Sequence, residues 1–251
     1  MAPIAEPRAE LAPLAKADGS ATYSYSGYTV TGAVNGPIEA QRRDENPFEA
    51  LIDVNVRPAA GVGGTAERQL ESILQQALRQ LIPIRNFPRS MIQITLQVTE
   101  TPENAYANTK VVQAQLNLAI IPALLHAAIL SLLTAAIPLK TIATAVTLVI
   151  PDAEKQDIIV DPSTRDADTA KSLHVLGYTS DDELLLAESQ GAFTVEEWET
   201  VLKTGQEVCC QAVQQGLEDT AMTGSGLESA SIRAFIRSIM ETKIAADLSW
   251  K

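Results

Sequence analysis

Basic residues, aromatic residues and the usual metal-binding side chains are all scarce in this 251-residue chain. Lys and Arg number 19 against 31 Asp and Glu, for a formal net charge of -12. Affinity for nucleic acid comes largely from neutralising phosphates. A chain this acidic therefore excludes a broad nucleic-acid surface and confines any RNA contact to local cations, or to cations shared with a basic partner. Only two cysteines are present, the neighbours Cys209 and Cys210. Adjacent cysteines are poorly placed for a disulfide and, without histidines nearby, cannot complete a structural zinc site. Two buried or half-buried thiols on a helix, in a reducing compartment, are expected. The two histidines, His126 and His174, fall in an apolar segment and a strand-like segment, where hydrogen-bonded core histidines are the simpler reading than ligands. Neither common phosphate-loop pattern occurs, since Gly61-Val62-Gly63-Gly64 lacks the following lysine, and no serine has the Gly-x-Ser-x-Gly setting of a nucleophile elbow. Asp161, Asp166 and Asp168 could be read as a metal triad, but Pro162 and Ser163 beside them suit a solvated turn better. No metal and no cofactor is expected.

Against these shortages stands a hydrophobic content of 46%, enough for a sizeable core. Met1 to Leu14 is rich in Ala, Pro and Glu and lacks the apolar centre of a secretion signal. The longest apolar run, Leu116 to Leu139, contains Pro122, His126 and Pro138, and reads as a buried helix bounded by turns rather than a membrane span. Tyr, Thr and Val alternate over Ala21 to Val30, a strand that Asn35-Gly36-Pro37 should break. Ala50 to Arg57 alternates as a half-exposed strand with Ile52, Val54 and Val56 on the apolar face. Leu70, Ile73, Leu74, Ala77, Leu78 and Leu81 recur at helical spacing. Strands are predicted at Ile92–Val98, Thr141–Val149, Asp157–Val160, Leu173–Tyr178 and Glu183–Ser189. Thr194 should cap a helix reaching to about Leu217, and a last amphipathic helix should run from Ser229 to Asp247. The class is α+β.

Several segments together resemble the RNase PH family. Ala17-Asp18-Gly19-Ser20-Ala21 is similar to its opening turn, and Gly36-Pro37-Ile38-Glu39 to the Gly-Pro-x-Glu after its next strand. Asp53-Val54-Asn55-Val56-Arg57-Pro58 resembles its strand ending in Arg-Pro, and Phe87-Pro88-Arg89-Ser90 its Pro-Arg turn. Leu124 through Pro138 is similar to the core helix, with Thr134-Ala135-Ala136 in place of the usual Asp-Ala-Gly, and Ile159-Val160-Asp161-Pro162-Ser163 resembles Val-x-Asp-Pro-Thr. The resemblance implies an RNase PH-like (ribosomal protein S5 domain 2-like) fold, a mixed sheet with helices packed on it. It divides the chain into a flexible tail over 1–16, the domain over 17–220 and a helical extension over 221–251.

The family's active members cleave RNA from its 3′ end with phosphate as the attacking group, and its members pair into dimers and then six-membered rings. Where such members bind phosphate with Gly-Thr-Arg or Gly-Ser-Arg, alignment puts Ala119-Ile120-Ile121 here, a trio with no cation for an anion. Where they carry a general-acid aspartate, it puts Ser172, whose hydroxyl is a poor proton donor. Where they carry a basic pair before the first helix, the nearest match is Gly63-Gly64, and the Arg-x-Asp-Gly-Arg opening is absent from the N-terminal segment. These replacements resemble the catalytically silent ring subunits of the eukaryotic RNA exosome. That implies a non-catalytic part of a hetero-hexameric ring of RNase PH-like subunits, with cap subunits, an associated ribonuclease and RNA passing through as partners. It also implies residence in the nucleus and nucleolus as well as the cytoplasm, and no membrane. Arg42, Arg43, Arg57 and Arg68 are the candidate RNA contacts. The alternative is an active 3′ exoribonuclease, phosphorolytic or magnesium-dependent, working as a homodimer.

Overall fold

The computed structural model describes residues 7–102, 117–152, 158–163, 166–167, 169–210 and 232–249. Strands β1 (Arg8–Leu11), β2 (Gly19–Tyr25), β3 (Tyr28–Glu39), β4 (Leu51–Arg57) and β5 (Ser90–Glu100) form one sheet in the order β1-β2-β3-β5-β4. Strands β6 (Ala143–Pro151), β7 (Ile159–Val160), β8 (Ala170–Thr179) and β9 (Leu184–Gly191) form a second, in the order β7-β6-β8-β9. The first sheet is mixed because β4 and β5 run parallel, which requires a crossover, supplied by helix α1 (Thr65–Leu81). The second is antiparallel throughout. The expected α+β mixed sheet is present, and the second sheet completes the architecture.

Helix α2 (Ile121–Thr134), entered through a 3-10 turn at Leu118–Ile120, is the middle of the molecule. Every residue from Ile121 to Leu132 is buried. Such a helix has no polar face and must be covered all round. It packs on β2 and β3 from one side and on β6 and β8 from the other, while α1 fills the same layer against β4 and β9. At 14 residues α2 is too short to cross a bilayer, and no helix among the described residues is long and apolar enough to do so. The predicted stripe of α1, from Leu70 to Leu81, is the buried one. Ile52, Val54 and Val56 of β4 point into the core beneath it, as their alternation requires. Helix α3 (Val195–Cys210) lies on the outer face of the second sheet through Val201, Gly205 and Cys209. Thr194 caps it as expected, with Oγ1 accepting from the Glu197 amide and the Glu197 carboxylate accepting from the Thr194 amide.

Four expectations change. Within 1–16, read as a flexible tail, Arg8–Leu11 is a strand paired antiparallel with β2, because the edge of β2 offers it a full set of backbone partners. Ala21 to Val30 is a hairpin rather than one strand, turned by Ser26 and Gly27, both with positive φ. Asn35-Gly36-Pro37 does not end β3, which absorbs the proline as a bulge and continues to Glu39. Within the supposed extension over 221–251, helix α4 (Ile232–Leu248) buries Ile236 in the main core, so it belongs to the domain. The predicted stretches 211–217 and 229–231 of the last two helices lie outside the described residues.

The C-terminus of α2 answers the Thr134-Ala135-Ala136 departure. Ala136 takes φ 55°, its N–H reaches Leu133 O at 3.1 Å, and Ile137 N–H reaches Leu132 O at 3.1 Å. This is the Schellman geometry that glycine normally serves. The turn forms with alanine at the glycine position, and the alanine bears the strain. Ala136→Gly is therefore expected to raise stability by about 1 kcal/mol, read from chemical denaturation. His126 gives a second measurement. Its Nε2 accepts the Ala145 N–H at 3.0 Å, tying α2 to β6, and burial pushes its pKa down to about 3 from 6.5. A folded pKa below the unfolded one makes its contribution complete above pH 6.5, and that contribution is lost as pH falls toward 3. His126→Gln, which keeps an acceptor for Ala145, should flatten the stability–pH curve below about pH 6 by ~1.4 kcal/mol per pH unit.

Candidate functional site

The positions aligned with phosphate binding, Ala119-Ile120-Ile121, form the turn into α2. Ile120 and Ile121 are buried and Ala119 is half-buried. The turn rests against β8, and its side chains join the core that includes Leu173 and Val175. Among the described residues, Ile120 and Ile121 are surrounded by this core, and neither they nor Ala119 bring a charge that could hold an anion.

Ser172, aligned with the general acid, is at the start of β8 and only 2% exposed. Its Oγ lies 2.9 Å from His174 Nε2, and His174 Nδ1 lies 2.9 Å from Ser189 Oγ on β9. Phe193 and Trp198 pack edge-on and tilted against the imidazole at 4.8 and 5.5 Å between ring centres. Burial lowers the His174 pKa, partly opposed by the Glu197 carboxylate. A neutral ring is both donor and acceptor, so one serine donates to it and the other accepts from it. Strand alternation puts Ser172 and His174 on the face toward α3, with Leu176 and Tyr178, whereas Leu173 and Val175 face α2. Ser172 and the Ala119–Ile121 turn therefore meet at one strand but on opposite faces of it.

Gly63 and Gly64 follow β4. Gly64 is the N-cap of α1, and its N–H donates to Glu67 Oε2 at 2.6 Å. Arg57 ends β4 and Arg68 lies in the first turn of α1, so both stand at this end of the first sheet, exposed. Arg42 and Arg43 lie in the β3–β4 loop at the other end, also exposed. With Leu51 opposite Met91 and Arg57 opposite Gln97, the two pairs are separated by a strand's length, about 20 Å. The structure does not bring the four arginines together. None of them has an ion-pair partner among the described residues.

The aspartates part company as well. Asp161 accepts a 2.5 Å hydrogen bond from Tyr25 Oη, and its N–H donates to Thr147 O at 2.9 Å. Burial raises its pKa despite the Tyr25 bond, and the pKa of Tyr25 rises in turn by burial and by the carboxylate beside it. Asp166 instead accepts from the Ser163 hydroxyl at 2.6 Å in an exposed turn, and Asp168 lies outside the described residues. Among the described residues no three His, Cys, Asp or Glu side chains are grouped to hold a metal ion. Cys209 is buried and Cys210 half-buried, both free, and burial pushes their thiols up to about 12 and about 11. Such thiols are protonated and unreactive near neutrality. Sequence reasoning missed the Tyr25–Asp161 bond, which joins residues 136 apart. It also missed Phe48, 81% exposed in the same loop as Arg42 and Arg43, although a lone aromatic in a charged loop was signal enough.

Comparison with known proteins agrees with this fold. Residues 6–138 match the family model described as the 3′ exoribonuclease family, domain 1 (RNase PH). The chain is 31% identical over 212 residues to exosome complex component RRP46 of Saccharomyces cerevisiae, an alignment spanning 82% of this chain and 91% of the yeast protein. It is 34% identical over 87 residues to the Schizosaccharomyces pombe component rrp46, 35% of this chain and 38% of that one. The crystal structure of rice (Oryza sativa) Rrp46 superposes with TM-score 0.73 at 23% identity, covering 95% of each chain. An Archaeoglobus fulgidus exosome with RNA bound to the active site gives 0.64 at 15% identity, over 80% of this chain and 84% of that one. The two-sheet fold, the family match over more than half of the chain and the near full-length relationship to the yeast protein lead to one conclusion: this chain belongs to the RNase PH family of 3′ exoribonucleases.

Proposed function

We infer that this protein is a non-catalytic ring subunit of an RNA exosome. It supports 3′-to-5′ RNA processing and degradation by pairing with related RNase PH-like subunits in a hetero-hexameric ring. The observation that carries the reading is the near full-length relationship to a yeast exosome component, joined to apolar packing at Ala119–Ile121 where an active member would hold phosphate. Phosphorolysis concentrates negative charge on phosphate and RNA backbone, and cations must offset it in the transition state. Buried isoleucines cannot. Ser172, locked to a neutral histidine, is no substitute for a carboxylic acid. The cap subunits, the associated ribonuclease and a nuclear, nucleolar and cytoplasmic location complete the proposal.

The competing reading, a homodimeric exoribonuclease, has one point in its favour: relatives from Oryza sativa and Arabidopsis thaliana, 34% and 29% identical over 34% and 32% of this chain, carry the name exosome complex exonuclease RRP46 homolog. One preparation tests both. Mixed with the other ring subunits, the tagged chain should elute with them as a single hexamer. Alone, it should leave labelled single-stranded RNA intact with phosphate and, separately, with magnesium. Turnover that disappears in Asp166→Asn or Ser172→Ala would replace the structural reading with the enzymatic one. Failure to enter the hexamer would remove the ring assignment.

A further inference from the structure

The β3–β4 loop carries an exposed aromatic ring, Phe48, and two exposed arginines, Arg42 and Arg43, in a chain that is otherwise strongly acidic. Phe48 is 81% exposed, the most exposed aromatic ring among the described residues. The loop that carries it is pinned. Ala40 N–H donates to Arg89 O at 3.3 Å, Arg89 N–H to Asn46 O at 3.0 Å, and Ala50 N–H to Ile84 O at 2.9 Å. Asn46 Oδ1 accepts from the Phe48 amide at 3.1 Å, and Asn46 Nδ2 donates to Glu49 Oε1 at 3.1 Å. The ring is therefore held outward by a fixed backbone.

The charges around it are sorted. Glu49 is paired with Arg79, and Glu45 with Arg89 at 3.4 Å. Those pairs remove two of the loop's carboxylates from competition. Arg42 and Arg43 remain unpaired among the described residues, and Arg85, next to Ile84, is exposed at the foot of the loop. Asp44 and Glu39 stand against these three. The local balance is positive, by one charge, on a protein whose formal net charge is -12.

We propose that Phe48 with Arg42 and Arg43 is a contact site for single-stranded RNA: a base stacks on the phenyl face, and the two guanidinium groups hold the adjoining phosphates. Any base has a π face, so stacking is tolerant of sequence, and it supplies affinity that a few cations alone cannot. An acidic peptide would use the arginines and leave the ring in water, so the pair of features favours RNA. The site is at the opposite end of the first sheet from Arg57, Arg68 and Gly63-Gly64, and it is separate from the place where the family does its chemistry. The proposal rests on the exosome reading only for the kind of ligand.

Binding of a fluorescein-labelled oligouridylate to the full-length chain, followed by anisotropy over a range of salt concentrations, tests it. Phe48→Ala should weaken binding about tenfold or more. The double variant Arg42→Gln, Arg43→Gln should reduce the slope of log affinity against log salt by about 1.4. Arg237→Gln, on α4 and paired with Glu241, should change neither. A 4-thiouridine oligonucleotide should cross-link to the peptide containing Phe48. No binding by the unmodified chain, unchanged binding by Phe48→Ala, or a cross-link confined to other peptides overturns the site. If Phe48→Ala blocks entry into the ring and leaves anisotropy unchanged, the loop is a protein contact and the proposal fails. Failure of the ring assignment appears separately, as loss of co-elution by the unmodified chain.

Discussion

The fold hangs on the burial of one apolar helix between two sheets. Because α2 has no polar face, both sheets must be in place before its side chains leave water, and each sheet alone would expose its inner face. The close approach is made possible by small residues. A side chain at Gly19 would sit 2.3 Å from the Ala135 nitrogen, and one at Gly32 would sit 2.4 Å from Ser131 Oγ. Glycines on the strands and alanines and serine on the helix let backbone meet backbone. His126 then fixes the helix against β6 by a single hydrogen bond, in a core where an unpaired amide would carry the full desolvation cost.

That arrangement also sets the surroundings of the turn into α2 and of the start of β8. The turn that the family resemblance matches to phosphate binding is packed into the core through Ile120 and Ile121. The polar groups around it are hydrogen-bonded to one another or to backbone. Ser172, His174 and Ser189 satisfy one another beneath two aromatic rings, and Gly64 serves the first turn of α1. The serine–histidine–serine chain is a neutral solution to burying polar atoms.

Much of this was legible in the residues. Helical spacing from Leu70 to Leu81 and the alternation over Ile52, Val54 and Val56 located α1 and β4 because burial on one face imposes a period. The uniform apolarity of Leu124 to Leu132 announced a covered helix, though it could not say that two sheets would cover it. What escaped was non-local. The pairing of Arg8–Leu11 depends on a free edge at β2, and the core position of Ile236 depends on where α4 docks, neither of which leaves a periodic trace. At the site, the sequence names candidate positions one by one. Their placement on opposite faces of β8, and the separation of Arg42-Arg43 from Arg57 and Arg68, are matters of topology. The Ala136 turn is the converse case, in which tertiary contacts impose a backbone angle that the residue itself disfavours.

Strand β9 closes the second sheet with no strand beyond it among the described residues. An uncovered edge offers unpaired amides and carbonyls to any extended chain, including another copy of itself. Around this edge the sequence places Asp181, Asp182, Glu183, Glu188 and Glu196, with Lys171 already engaged by Glu197. Two copies brought edge to edge would press these carboxylates together. The acidity that denies the protein a broad RNA surface thus also acts as a colloidal safeguard, opposing the runaway strand addition to which a free β edge is prone.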